Sequence, residues 1–328
     1  MNIYDIAKEA GTSIATVSRV INRKGNVSDQ TREKIEAAIQ KHAFISSRTK
    51  SSFVVSTKTI AVLVMDIRDP FWANTIHIME REFYNYGYIA LFCNTTHEKQ
   101  KILQYISWLA QKKLDGLVLV GSSFKDKDIE DFLIANFQHI PIILSNAFLE
   151  IENGYSILVD DAKGLSICVD HLVEKGHRDI IFVENIESKS NVQKQEGFRA
   201  SMTRYKLPVD QDNILQAAKS LNGGQSAIDI LVGHKKKFTA IIFGHDIMAV
   251  GAIKRLKELG LSVPNDVAII GYTNSIYSKI SEPELTSLDV KLENTAEFSV
   301  KLLHDLLQGK KPTKSIIIRP ELRIRKST

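Results

Sequence analysis

From residue 59 onward, the 328-residue chain alternates short β-branched and aliphatic runs with longer amphipathic stretches, and few folds accept that rhythm. The apolar runs fall at 60–65, 88–92, 116–120, 140–144, 157–159, 180–183, 240–243, 267–270 and 316–318. Helical spacing of apolar residues marks 72–86, 99–111, 165–175, 190–205, 247–259 and 293–308 between them. Buried strands separated by helices predict α/β architecture, with parallel sheets covered by helices on both faces. Nine strands over about 270 residues fit two lobes better than one oversized sheet.

The first 58 residues follow a different pattern. They carry ten Lys/Arg against five Asp/Glu, an excess equal to the +5 of the whole chain, so residues 59–328 sum to zero. Ile3, Ile6, Ala7 and Ala10 lie on one face of a helix. Gly11 supplies the left-handed turn, and Ser13 caps a second helix that buries Val17, Val20 and Ile21. A third helix opens at Ser28 and buries Ile35, Ala38 and Ile39. Helix, Gly-containing turn, helix on a basic module predicts a small all-α DNA-binding head whose second helix enters the major groove. On that helix Ile14, Ala15, Thr16, Ser18, Arg19 and Asn22 point away from the core side. Arg suits guanine and the Ala and Thr methyls suit the thymine methyl, while Ser18, Asn22, Ser28 and Thr31 suit phosphate oxygens.

Other function classes find little support. Charges interrupt the N-terminal run, so no secretory signal is expected. The apolar runs fall well short of the roughly 20 residues of a membrane span; a cytoplasmic, non-membrane protein is expected. Cys93 and Cys168 stand alone in apolar contexts and read as buried hydrophobes. His171 and His177 are six residues apart, which does not place them on one helix face as metal ligands. No glycine-rich phosphate loop follows a strand, and no nucleophile elbow is present. Neither an enzyme activity nor a cofactor or metal is expected.

The runs Ile3-Tyr4-Asp5-Ile6-Ala7, Ala10-Gly11-Thr12-Ser13, Ala15-Thr16-Val17-Ser18-Arg19-Val20-Ile21-Asn22, Val27-Ser28 and Thr31-Arg32-Glu33-Lys34-Ile35 resemble the head of the LacI/GalR family of bacterial transcriptional regulators. Asp69-Pro70-Phe71-Trp72, Val159-Asp160-Asp161, Gly197-Phe198, Asp246-Ile247-Met248-Ala249, Val263-Pro264-Asn265-Asp266-Val267, Ile270-Gly271-Tyr272 and Pro283-Glu284-Leu285-Thr286-Ser287 extend the resemblance through the body. It implies a helix-turn-helix domain (1–45), a hinge (46–58) and a two-lobed, periplasmic-binding-protein-like effector and dimerisation domain (59–328). It further implies a homodimer on a pseudo-palindromic double-stranded operator. Ile14, Ala15 and Arg19 would read bases, with Tyr4, Ser13, Thr16, Ser18, Asn22, Asn26, Ser28, Thr31 and Arg48 completing the contacts.

Two regions depart from the family pattern. In the linker, Lys50 and Ser51 stand where Ala and Arg are usual, leaving Phe53 either as a minor-groove wedge or packed on the next domain. In the cleft, Asn146 and Thr273 replace the usual Asp, Lys194 replaces Arg, and His245 replaces Asn. With Phe71, Trp72 and Asp246, these residues make the expected effector site. The resemblance implies a repressor of sugar or carbohydrate genes, answering to a sugar or sugar derivative. The altered cleft leaves open a nucleobase ligand, or co-repression by a phosphocarrier protein. His245 and Lys194 read either as ligand contacts or as exposed loop residues.

Overall fold

The computed structural model describes residues 3–21, 27–41, 57–185 and 190–328. It divides into two compact units, Met1–Ser56 and Thr57–Thr328.

The first unit contains α1 (Ile3–Glu9), α2 (Ile14–Ile21) and α3 (Asp29–Lys41). Gly11 takes φ +62 at the turn, a conformation that a side chain would strain. The Thr16 N–H donates to Ser13 Oγ at 3.1 Å, so Ser13 caps α2 as its spacing predicts. Ile6, Ala7, Val17, Val20, Ile35 and Ala38 close the core, with Ala10, Val27, Ile21 and Ile39 packed around it. Each of the larger fully buried side chains contributes about 1.5–3 kcal/mol, enough to hold three short helices that would not be stable alone.

The second unit holds strands β1 (Thr59–Val64), β2 (Ile89–Asn94), β3 (Gly116–Val120), β4 (Ile142–Ser145), β5 (Gly154–Val159), β6 (Ile180–Asn185), β7 (Ile214–Ala217), β8 (Ala240–Phe243), β9 (Ala268–Tyr272), β10 (Thr286–Asp289), β11 (Ser315–Ile318) and β12 (Glu321–Arg323). Its helices are α4 (Pro70–Asn85), α5 (Lys99–Ala110), α6 (Lys127–Asn136), α7 (Asp161–Glu174), α8 (Asn191–Arg204), α9 (Leu221–Gly233), α10 (Asp246–Glu258), α11 (Ile276–Ile280) and α12 (Leu292–Leu307). One sheet has the order β11-β5-β4-β3-β1-β2 and is parallel throughout. The other has the order β12-β10-β9-β8-β6-β7, parallel except for the antiparallel edge strand β12.

The two sheets define two lobes, and the chain crosses between them at 159–161, 289–292 and 318–321. In the second lobe the strand alternation is plain. Ile180 and Phe182 face the core under α7 and α8, whereas Ile181 and Val183 face the core under α9 and α10. A strand buried on both faces has no polar alternation to show, which is why these runs read as continuous apolar blocks.

The nine expected strands are present, with shifted ends, and β7, β10 and β12 join them. The added strands lack apolar runs. β10 buries Thr286 and Ser287, whose hydroxyls are satisfied by Thr328 and by Asp246, and β12 is an exposed edge. Helices α6, α9 and α11 were likewise not expected; α9 carries Gly223 and Gly224, which depress helix propensity but meet backbone of neighbouring segments where no side chain fits. Cys93 and Cys168 are buried and free. Among the described residues no helix is long and apolar enough to cross a membrane, and no cluster of three potential metal ligands occurs.

Candidate functional site

In the first unit, α2 buries Val17 and Val20 and leaves Ser13, Ile14, Ala15 and Arg19 exposed, with Thr16 and Ser18 half-buried at its flanks. Ile14 is 39% exposed, an apolar side chain presented on the outer face of the helix. Ser13 and Thr16 share a 2.8 Å hydroxyl hydrogen bond, and Ser28 and Thr31 share another of the same length at the start of α3. These pairs stiffen two helix N-termini whose free N–H groups favour anions such as phosphate. Asn22, Asn26, Arg48, Phe53 and the linker around Lys50 lie outside the described residues, as does the side chain of Tyr4.

In the second unit a cavity of about 90 Å³ lies between the lobes. Its walls follow the carboxyl ends of the parallel strands, where open α/β sheets place their ligands. Met65 follows β1, His97 follows β2, Ser122 and Ser123 follow β3, Asn146 follows β4 and Asn185 ends β6. Lys219 follows β7, His245 follows β8 and Tyr272 ends β9. Of the seven residues expected from sequence, Phe71, Trp72, Asn146, Lys194, His245 and Thr273 line this one cavity.

The aromatic wall is built locally. Asp69 caps α4 by accepting the Phe71 N–H at 2.9 Å, and Pro70 starts the helix. Phe71 and Trp72 then pack edge to face, with ring centroids 4.8 Å apart. Gly121 takes φ +120, and an added Cβ would lie 2.9 Å from the Trp72 ring. Only glycine leaves room for the indole there.

The polar wall centres on Lys194. It is 4% exposed, and its Nζ sits 4.1 Å above the centre of the Tyr272 ring. Tyr272 donates its hydroxyl hydrogen bond to Asp161, at the first turn of α7. Burial lowers the pKa of Lys194, and the nearby Asp161 carboxylate opposes that shift. Burial likewise raises Asp161, opposed by the Lys194 charge and the Tyr272 hydroxyl. The close crossing of α7 and α8 sets this cluster, because a Cβ on Gly197 would lie 2.2 Å from Ala162 O. Lys194 is therefore not an exposed loop residue.

His245 is half-buried and its pKa falls well below the ordinary histidine value, through burial and then the charges of Lys219 and Lys194. A neutral imidazole faces the cavity.

Asp246 departs from the expectation that it lines the effector site. It turns away from the cavity and accepts from Ser287 Oγ at 2.5 Å, Ser275 N at 2.6 Å, Ser275 Oγ at 2.7 Å and Thr273 Oγ1 at 3.2 Å. At the start of α10 its carboxylate is drawn to these donors, and burial pushes its pKa up to about 6. Its effect on the cavity runs through Thr273, which it holds at φ 103. That conformation is an outlier for a β-branched residue.

Lys219, His97, Asp161, Asn185 and Tyr272 line the cavity but were not expected to. Lys219 pairs with Asp69 of the opposite lobe, and its Nζ lies 5.9 Å from the centre of the Trp72 ring. His97 Nδ1 and Ser123 Oγ are 2.8 Å apart at the rim. The one signal available for Lys219 was its place after a strand that polar residues concealed.

Comparison with known proteins agrees with both units. Residues 2–47 match the model described as bacterial regulatory proteins, lacI family, and residues 169–328 match the periplasmic binding protein-like domain. An HTH-type transcriptional regulator of Lachnoclostridium phytofermentans is 32% identical over 331 residues, covering 100% of this chain and 99% of that protein. The HTH-type transcriptional repressor PurR of Histophilus somni is 31% identical, over 99% and 98%. The fold is shared with the lac repressor dimer bound to operator and the anti-inducer ONPF, at TM-score 0.76 and 23% identity over 100% and 98% of the two chains. These relatives are transcriptional regulators rather than enzymes. The chain thus belongs to the lacI family of DNA-binding transcriptional regulators.

Proposed function

We propose that the protein is a cytoplasmic, ligand-responsive repressor that binds a pseudo-palindromic operator as a homodimer. Ile14, Ala15 and Arg19 read bases, Ser18, Ser28 and Thr31 hold phosphates, and Ser13 and Thr16 complete the contacts. The observation that carries this reading is the exposed face of α2, with Ile14 at the capped N-terminus and Arg19 in the last turn, within a basic N-terminal segment followed by a neutral body. A two-fold dimer presents two such helices to half-sites about one helical turn apart.

The cavity is the effector site, and Phe71 and Trp72 offer an apolar sugar face or ring a surface to pack on. The repressor relatives and the ligand-bound lac repressor support a small-molecule switch at this cleft. A sugar derivative remains the ligand class the family resemblance favours. Such a ligand acts only through unequal affinity for the operator-competent and operator-incompetent states.

The test is a gel-shift titration with palindromic DNA from the promoter of its own gene. Arg19→Ala should weaken specific binding by about 1–3 kcal/mol and relax discrimination at one base pair per half-site. A wild type that bound this DNA no better than random duplex would defeat the proposal.

A further inference from the structure

We propose that the effector carries an acidic group, a carboxylate or a phosphate, and that this group seats on Lys194 Nζ. The inference rests on the cleft being the effector site and specifies what that site recognises.

Among the described residues Asp161 is the one carboxylate lining the cavity, and it already accepts the Tyr272 hydroxyl. Two lysines face the same space, Lys194 and Lys219, one of them held by Asp69. Lys194 is different: among the described residues its Nζ makes no hydrogen bond and no ion pair within 4 Å, and its contact is the Tyr272 ring face. A lysine with 4% of its surface exposed thus lines the cavity with donors that no protein acceptor takes up among the described residues.

Three of the threonines lining the cavity are already engaged as donors. Thr75 and Thr295 donate to backbone carbonyls of Phe71 and Lys291, and Thr273 donates to Asp246. They keep lone pairs for a ligand but carry no charge. A neutral polyol brings one donor with every hydroxyl, and those donors are best met by carboxylates that nothing else has claimed. Asn146 and Thr273 face the cavity with uncharged groups. An acceptor-only head group instead fits the ammonium that has no hydrogen-bond acceptor among the described residues. Filling the cavity with a neutral body would strip water from Lys194 and leave its donors without an acceptor, which is unfavourable. An anion at Nζ supplies the missing acceptor and also offsets the burial that lowers the lysine's pKa. The apolar remainder of the cavity, from Val120, Val290 and Leu292 to the Phe71–Trp72 pair, accommodates a small ring or carbon skeleton. The volume of about 90 Å³ favours a small ligand bearing one such head.

The experiment is thermal denaturation of the full chain at fixed ionic strength with glucose, glucuronate, glucose 6-phosphate and inorganic phosphate, a panel in which the sugar ring is constant and the charge varies. A charged member should raise the midpoint in a saturable way where glucose does not. Protection by glucuronate alone assigns a carboxylate, and protection by glucose 6-phosphate or inorganic phosphate assigns a phosphate. Lys194→Gln should weaken the protecting anion at least tenfold, and Lys194→Arg should retain most of its binding. If Lys194→Gln does not fold, Asn146→Asp provides the second reading, since a carboxylate in the same cavity should weaken the anion at least tenfold as well.

Three results would overturn the inference: equal protection by glucose and its charged derivatives, anion protection unchanged in the variants, or no protection by any anion. Protection by glucose alone overturns the anion and leaves the effector cleft standing. Failure of the operator titration removes the repressor reading whatever the thermal panel shows.

Discussion

Asp246 illustrates how far a single residue's role can differ from its position in the sequence. The family pattern places it beside the effector, yet its carboxylate serves as an internal post for Ser275, Ser287 and Thr273. What was legible at this scale was the set of positions whose backbone the strand ends fix, such as Asn146 and Thr273. Side-chain direction was not legible, because it depends on which neighbours donate hydrogen bonds. Asp246 also has a measurable signature. Burial raises its pKa from an ordinary value near 4 to about 6. Between those values the folded chain holds a proton that the unfolded chain has released. This contribution to stability is full below about pH 4 and lost as pH rises through about 6. Two pKa units correspond to about 3 kcal/mol at most. Against Asp246→Asn, which cannot titrate there, the wild type should lose up to that amount between pH 4 and pH 7 in urea denaturation. A difference between the two proteins that stays constant with pH would refute the assignment.

At the scale of elements, the sequence showed best what was apolar. The blocks of β1, β3, β6 and β8 announce themselves because both faces of each strand are covered. β10 escaped notice because its buried residues are Thr286 and Ser287, hydroxyls that fit a core only when partners such as Asp246 exist elsewhere in the chain. Glycine gives a similar lesson in α8. Taken alone, Gly197 is a weak point in a helix, and alanine should improve it by about 1 kcal/mol. In the fold, its missing side chain lets α8 lie against the backbone of α7, with Ala162 O 2.2 Å from where a Cβ would stand. The overlap outweighs the propensity, since overpacking costs about 1–3 kcal/mol. Gly197→Ala should therefore destabilise the protein in chemical denaturation, and it should weaken effector binding, because the crossing also brings Lys194 over Tyr272. A stabilised variant would show that α7 and α8 part without cost.

For the molecule as a whole, the open question is how a cleft between lobes can change what a DNA-binding head does, and the one cross-cleft ion pair noted at the cavity rim bears on it. Lys219 belongs to the loop after β7 and Asp69 to the cap of α4, so this pair ties one lobe to the other beside the cavity. Both side chains are about one-fifth exposed, at 18% and 22%, which makes the pair worth on the order of 1 kcal/mol after screening. That is about a fivefold bias toward the lobe arrangement seen here, small enough for a ligand to override and large enough to measure. Neither partner was legible as a latch from sequence, because the contact joins positions 150 residues apart that only the lobe arrangement brings together. Lys219→Gln should speed amide exchange in the crossover segments around 159–161 and 289–292. Asp69→Asn, which keeps a capping oxygen for α4, should do the same. The two changes together should do little more than either alone, because each removes the same interaction. Added salt should reproduce part of the effect in the wild type and none of it in the double variant. Fully additive effects on exchange would mean that the two residues act separately, and that lobe closure is governed by the cavity lining rather than by this pair.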